Sequence, residues 1–178
     1  MKNKLIMQFV WLIWTHSSLW SQDVKKYTVN ESEFYSGYYL AVEPADTIEG
    51  VLILIAGFGQ WPEDVFPETK LEQVAYGHHL LTIAFAAGNK LYADTMTRDN
   101  LSLVVKDVLT RYKVDPTKFV IGGYSAGGMI ALRYVELCNE FPDRYPIQPK
   151  GVFTVDSPID IFTIYNQLGQ SLADNYSP

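Results

Sequence analysis

Residues Lys118 to Leu137 read KFVIGGYSAGGMIALRYVEL, and this stretch decides the fold. A short apolar run, Phe119 to Ile121, leads into Gly122-Gly123-Tyr124-Ser125-Ala126-Gly127-Gly128, and an apolar helical pattern follows directly. The order predicts a strand, a tight turn and a helix. Within it, Gly123-Tyr124-Ser125-Ala126-Gly127 matches G-x-S-x-G. The reason for that pattern is steric. A serine on a strained turn at a strand end needs small residues two places before and after it, so that its hydroxyl projects above the sheet edge.

Outward from this turn, strands and helices alternate. Val24 to Asn30 and Gly37 to Glu43 are β-like runs rich in Tyr and Val, separated by polar residues, and read as an antiparallel pair. Gly50 opens the unbroken apolar run Val51-Leu52-Ile53-Leu54-Ile55, as expected of a parallel strand covered on both faces. Glu68 to Tyr76 has helical character and stops at Gly77, and Leu80 to Ala86 reads as another buried strand. Thr97 to Tyr112 carries the apolar stripe of a helix, ended by Asp115-Pro116. Gly151 to Asp156 is a further strand, stopped by Ser157-Pro158, and Asp160 to Gln167 reads as a last helical stretch. Two antiparallel and four parallel strands make about six, an α/β sheet with flanking helices.

The strand Val51–Ile55 runs into Ala56-Gly57-Phe58-Gly59, a glycine-rich turn whose backbone amides can face a site without side-chain obstruction. With this turn and the serine turn together, the sequence resembles the α/β-hydrolase superfamily of esterase- and lipase-like serine hydrolases. The resemblance implies Ser125 as nucleophile and an oxyanion hole built from the backbone amides of Ala126 and Phe58, with Gly59 the next choice. It implies neither a cofactor nor a metal, and as partner a small-molecule or polymer-derived acyl substrate. Ala56 stands where the family often has histidine. Taken alone, Gly57 and Gly59 also suit a plain tight strand-to-helix connection.

A serine hydroxyl is a poor nucleophile until a base takes its proton and a third group orients that base. In this superfamily the order is Ser, then Asp or Glu, then His. The histidines here are His16, His78 and His79, and none follows Ser125. His78 and His79 precede a strand and so fall at the sheet end opposite Ser125, as surface or lower-rim residues. Asp156 ends the strand after the serine helix and has two readings, the triad acid or a residue holding the Ser157-Pro158 turn. Asp160 reads as an N-terminal helix residue. The family sheet has eight strands, so the resemblance covers roughly the first two-thirds of a full hydrolase. The expectation is a chain truncated before its catalytic histidine, with Val152 to Asp156 left as an open edge and little or no turnover.

Composition narrows the classes further. The 178 residues suffice for one domain with a sizeable core. A net charge of −6 with no cluster of lysine or arginine argues against a nucleic-acid partner. The single cysteine, Cys138, excludes an intrachain disulfide and a multi-cysteine zinc site, and reads as a small buried hydrophobe. Lys2 and Lys4 precede the apolar run Leu5 to Trp14, and a polar stretch ends near Ser21-Gln22. That is the order of a secretory signal peptide over residues 1–21, with a mature hydrolase domain over 22–178 that leaves the membrane once cleaved. An uncleaved membrane anchor is the alternative. The expected location is therefore secreted or periplasmic.

Two other functions compete with the hydrolase. One is a non-catalytic binding module or degenerate enzyme on the same scaffold, its cleft kept and its triad lost. The other, a flavodoxin-like nucleotide binder, is disfavoured because no third glycine completes G-x-G-x-x-G where Pro62, Glu63 and Asp64 run. The loop 87–93 reads either as a substrate entrance or as an ordinary connection. Phe58, Trp61, Tyr92 and Tyr124 are candidates for a cleft lining or for core packing.

Overall fold

The computed structural model describes residues 23–160 and 166. The signal-like segment 1–21, His16 and most of the stretch 160–167 lie outside the described residues. Six strands form one sheet: β1 (Val24–Thr28), β2 (Tyr38–Val42), β3 (Gly50–Ile55), β4 (Leu80–Phe85), β5 (Phe119–Tyr124) and β6 (Gly151–Val155). Their order across the sheet is β1-β2-β4-β3-β5-β6. β1 and β2 are antiparallel to their neighbours, and β4, β3, β5 and β6 run parallel. The expected division into two antiparallel and four parallel strands is the observed one.

The helices are α1 (Pro62–Val65), α2 (Leu71–Gly77), α3 (Thr95–Tyr112) and α4 (Ala126–Glu140), with a 3₁₀ turn at Phe66–Glu68. β3 shows why its sequence lacks alternation, since all six of its residues are buried. Val51, Ile53 and Ile55 pack with Leu101, Val104 and Val108 of α3 and Ile130 and Tyr134 of α4. Leu52 and Leu54 point the other way and pack with Val65 of α1 and Ala75 of α2. A strand between two helical layers has no polar face to offer.

Several boundaries differ from expectation, among them the start of the helix read from Thr97, which is Thr95. The helix read over 68–76 starts at Leu71, because Thr69 is extended (φ −144°, ψ 162°) and its hydroxyl accepts from the Leu71 amide at 3.1 Å. Pro62 and Pro67 shape α1 and the 3₁₀ turn, and Asp64 closes back onto the Trp61 amide at 2.8 Å. β5 runs on through Gly122 and Gly123 to Tyr124, because those glycines still pair with β3 and β6. α3 is capped at its start by Asp94, whose carboxylate accepts from the Thr97 amide at 2.8 Å, and at its end by Lys113 in the left-handed region (φ 52°). Cys138 is buried in α4, and burial pushes its thiol up to about 12.

Polar ties fix the antiparallel edge to α3. Asn30 donates to Asn100 at 2.9 Å, and Asn100 donates to the buried Ser36 at 2.7 Å. Glu43, just past β2, accepts from Lys25 and from Tyr112, each at 2.7 Å. Partial burial pushes the Glu43 carboxyl upward, but the hydrogen bonds from Lys25 and Tyr112 outweigh it and hold the group below its usual range. A carboxylate depressed by folding adds stability above its unfolded value, and that stability is lost as pH falls through the folded value. In urea titrations from pH 6 to pH 3, Glu43→Gln is expected to be less stable than the parent at pH 6. The gap should begin to narrow near the unfolded carboxyl value, about pH 4, and shrink further as pH falls toward the lower folded value. A constant gap across that range would contradict this account.

Candidate active site

Ser125 sits at the junction of β5 and α4, as the residue before the first turn of the helix. Its backbone has φ 49° and ψ −123°, a combination that L-residues other than glycine rarely adopt. The flanking glycines show what forces it. A Cβ on Gly123 would overlap the backbone of Gly127 and come within 2.6 Å of the Gly128 nitrogen, and one on Gly127 would overlap the carbonyls of Ile55 and Ala56. These obstacles are main chain, which cannot swing aside. The helix thus starts hard against the ends of β3 and β5, and the chain reverses at Ser125. The Ser125 side chain is left exposed while Gly123, Ala126 and Gly127 are buried.

The turn after β3 meets Ser125 from the other side. A Cβ at Gly57 would lie 3.6 Å from the Ser125 Cβ, ordinary contact distance. Gln60 closes this turn twice, with its amide nitrogen donating to the Gly57 carbonyl at 3.3 Å and its side-chain oxygen accepting from the Gly57 amide at 2.7 Å. The side-chain nitrogen of Gln60 donates in turn to Glu68 at 2.6 Å. Gly59, at φ 73°, donates its amide to the Gly88 carbonyl at 2.9 Å. The amides of Gly57 and Gly59 are therefore committed within the protein. Ala126 is the first residue of α4, where backbone amides have no acceptor inside the helix. The role of Gln60 carries no local sequence signal, because its partners follow only from the turn itself.

Asp156 follows β6 with φ 51° and is exposed. It comes one residue after Val155, whose carbonyl accepts from the Ser125 amide at 2.9 Å. Ser125 and Asp156 thus share the carboxyl edge of neighbouring strands. His78 and His79 lie before Leu80, which is level with Gly50, whereas Ser125 lies beyond the level of Ile55. At about 3.3 Å per residue, that separation is roughly 20 Å or more along the sheet. Neither histidine reaches Ser125. Asp160 is exposed, and Tyr124 packs into the apolar layer with its hydroxyl buried. Among the described residues no group of three or more His, Cys, Asp or Glu is placed to hold a metal ion, and no helix is long and apolar enough to cross a membrane.

No protein-family model and no curated protein sequence matches the chain. Solved structures do. A candidate thioesterase from Silicibacter sp. TM1040 superposes with a TM-score of 0.63 at 15% identity, over 88% of this chain and 57% of its own. S-formylglutathione hydrolase (FrmB) from Staphylococcus aureus gives 0.58 at 13% identity, over 87% and 67%. FphF, a fluorophosphonate-binding serine hydrolase of the same species, gives 0.53 at 16% identity, over 68% and 54%. The chain thus spans between about half and two thirds of the length of these proteins. At such identities the likeness concerns the fold, and the fold is that of the α/β-hydrolases.

The strain at Ser125 is measurable without any activity. Ser125→Gly removes a side chain from a conformation that glycine tolerates and gives up little packing, because the hydroxyl is exposed. It is expected to raise stability by about 1 kcal/mol in urea denaturation. Gly123→Ala and Gly127→Ala push a methyl group into main chain and should each cost at least about 2 kcal/mol. Equal stability of Gly127→Ala and the parent would contradict the close approach of α4 to β3.

Proposed function

We propose that the chain is an exported serine hydrolase of esterase-like, acyl-transfer type, with Ser125 as its nucleophile. The observation that carries this reading is the exposed Ser125 hydroxyl on a positive-φ turn, with the Gly57 turn against it. The names of the structural neighbours, a thioesterase, an S-formylglutathione hydrolase and a serine hydrolase, support the same chemistry. Export rests on the charged-then-apolar order of residues 1–21.

In this mechanism the Ser125 Oγ attacks an acyl carbonyl carbon, and its proton passes to a base. The carbonyl oxygen becomes an oxyanion held by the amides of Ala126 and Phe58. Collapse expels the alcohol or thiol, which takes the proton, and leaves an ester on Ser125. Water then attacks that ester by the same steps in reverse. Asp156 is the candidate to orient the base. The alternative role, holding the turn at Ser157-Pro158, is compatible with its φ of 51°.

Among the described residues no histidine is placed to act as the base, since none follows Ser125 in the sequence and His78 and His79 lie at the far end of the sheet. We therefore propose that these residues alone turn over little or no substrate, and that a working site takes its base from outside them. The same observation favours a second reading, a binding module that keeps the scaffold without catalysis.

A fluorophosphonate probe separates these statements. Labelling of the 178-residue chain is expected to be far below stoichiometric, and to rise when imidazole is added as an external base. The rise should map to Ser125 and vanish in Ser125→Ala. Stoichiometric labelling without imidazole would overturn the missing base. A labelling level that imidazole does not change would favour the binding module over the hydrolase.

A further inference from the structure

An open groove of about 610 Å³ lies away from Ser125, between β1, the loop 29–37 and α1. Its size is that of a small-molecule site. Its mouth is marked by Phe34, which is 74% exposed. Phe34 meets Trp61 nearly edge-on, with ring centroids 4.9 Å apart at 76°, and Tyr35 backs Trp61 at 4.3 Å. The ring of Phe34 is thus held in place by other rings while most of its surface faces solvent.

The net charge of the groove is negative. Four carboxylates line it, those of Glu31, Glu33, Glu63 and Asp64, against the single ammonium of Lys26. Lys26 shows how this wall treats a cation. Its Nζ stands 3.5 Å from the centroid of the Tyr38 ring and 3.4 Å from a Glu63 oxygen, so one aromatic face and one carboxylate already hold an ammonium. Beside it Phe34 exposes its ring, and Glu31 and Glu33 line the same groove. Among the described residues neither carboxylate is in an ion pair, and Lys90 acts on Glu33 only through space. A cation is drawn to an aromatic face by the ring quadrupole, and a second carboxylate strengthens the attraction. A neutral polyol gains nothing from that excess of negative charge.

We propose that this groove binds an organic cation, an alkylammonium or guanidinium group, against the Phe34 ring and the carboxylates of Glu31 and Glu33. The site is independent of Ser125 and does not rest on the hydrolase reading.

Choline serves as the probe, with 3,3-dimethyl-1-butanol as its uncharged analogue and glucose as a sugar control. Binding to the full chain is read from the Trp61 indole N–H resonance, identified by its loss in Trp61→Phe. Choline is expected to shift this resonance saturably, and dimethylbutanol to bind about tenfold more weakly or not at all. Phe34→Leu keeps an apolar side chain but removes the ring, and Glu31→Gln with Glu33→Gln removes the charge. Each of these exposed changes should weaken choline several-fold, and added salt should weaken it further. Lys26→Met frees the Tyr38 face and should tighten choline binding. Saturable binding of glucose, equal binding of dimethylbutanol, or no saturable shift with choline would overturn the proposal.

Discussion

The close approach of main chain to main chain at the ends of β3 and β5 is the constraint on which the rest depends. Gly127 lets the first turn of α4 rest on the carbonyls of Ile55 and Ala56, and Gly123 lets β5 pass beneath the same turn. With the helix that close, the chain reverses direction within one residue, and Ser125 takes the strained conformation. A side chain leaving such a reversal has only the outward direction. The same proximity brings the Gly57 turn against Ser125. Three separate segments converge on one point because side chains are absent where they meet.

Much of this was legible in sequence. The run Val51 to Ile55 lacks alternation because both of its faces are covered, and a covered strand announces itself by composition. The glycines around Ser125 were legible for a different reason, since close approach leaves no other residue type possible. Less legible were features that depend on partners far along the chain. Thr69 ends one turn and begins another through its own hydroxyl, and Pro62 and Pro67 gave no separate pattern for such short segments. Gln60 looks like any loop residue until its hydrogen bonds to Gly57 and Glu68 are drawn. Phe34 and Tyr35 carry no signal of their own in the sequence, and only the fold sets them against Trp61. The histidines are the reverse case: that none follows Ser125 is plain from the sequence, and no packing detail alters it.

The two regions of interest sit at different ends of one mechanical path. Tyr35 stacks on Trp61 and packs closely over Gly88, and the Gly88 carbonyl holds the Gly59 amide. The aromatic wall of the groove is therefore braced on the same loop that fixes the turn beside Ser125. Rigid rings and a main-chain hydrogen bond, rather than long flexible side chains, connect them. The exposed ion pairs elsewhere, such as Arg133 with Glu136 and Glu140, contribute little by comparison.

The strand order carries a consequence for how the chain comes to be folded. β3 lies between β4 and β5, so the segment Gly50–Ile55 is made well before Phe119–Tyr124, its second neighbour. Parallel pairings of this kind close long loops before any contact rewards them, which slows folding. Until β5 arrives, six consecutive buried-type residues present one unpaired edge to any other strand nearby. Such a segment is prone to associate between molecules during synthesis. The serine turn is completed only at the end of that interval, so the turn that carries the candidate site is also the last lock on the central strand.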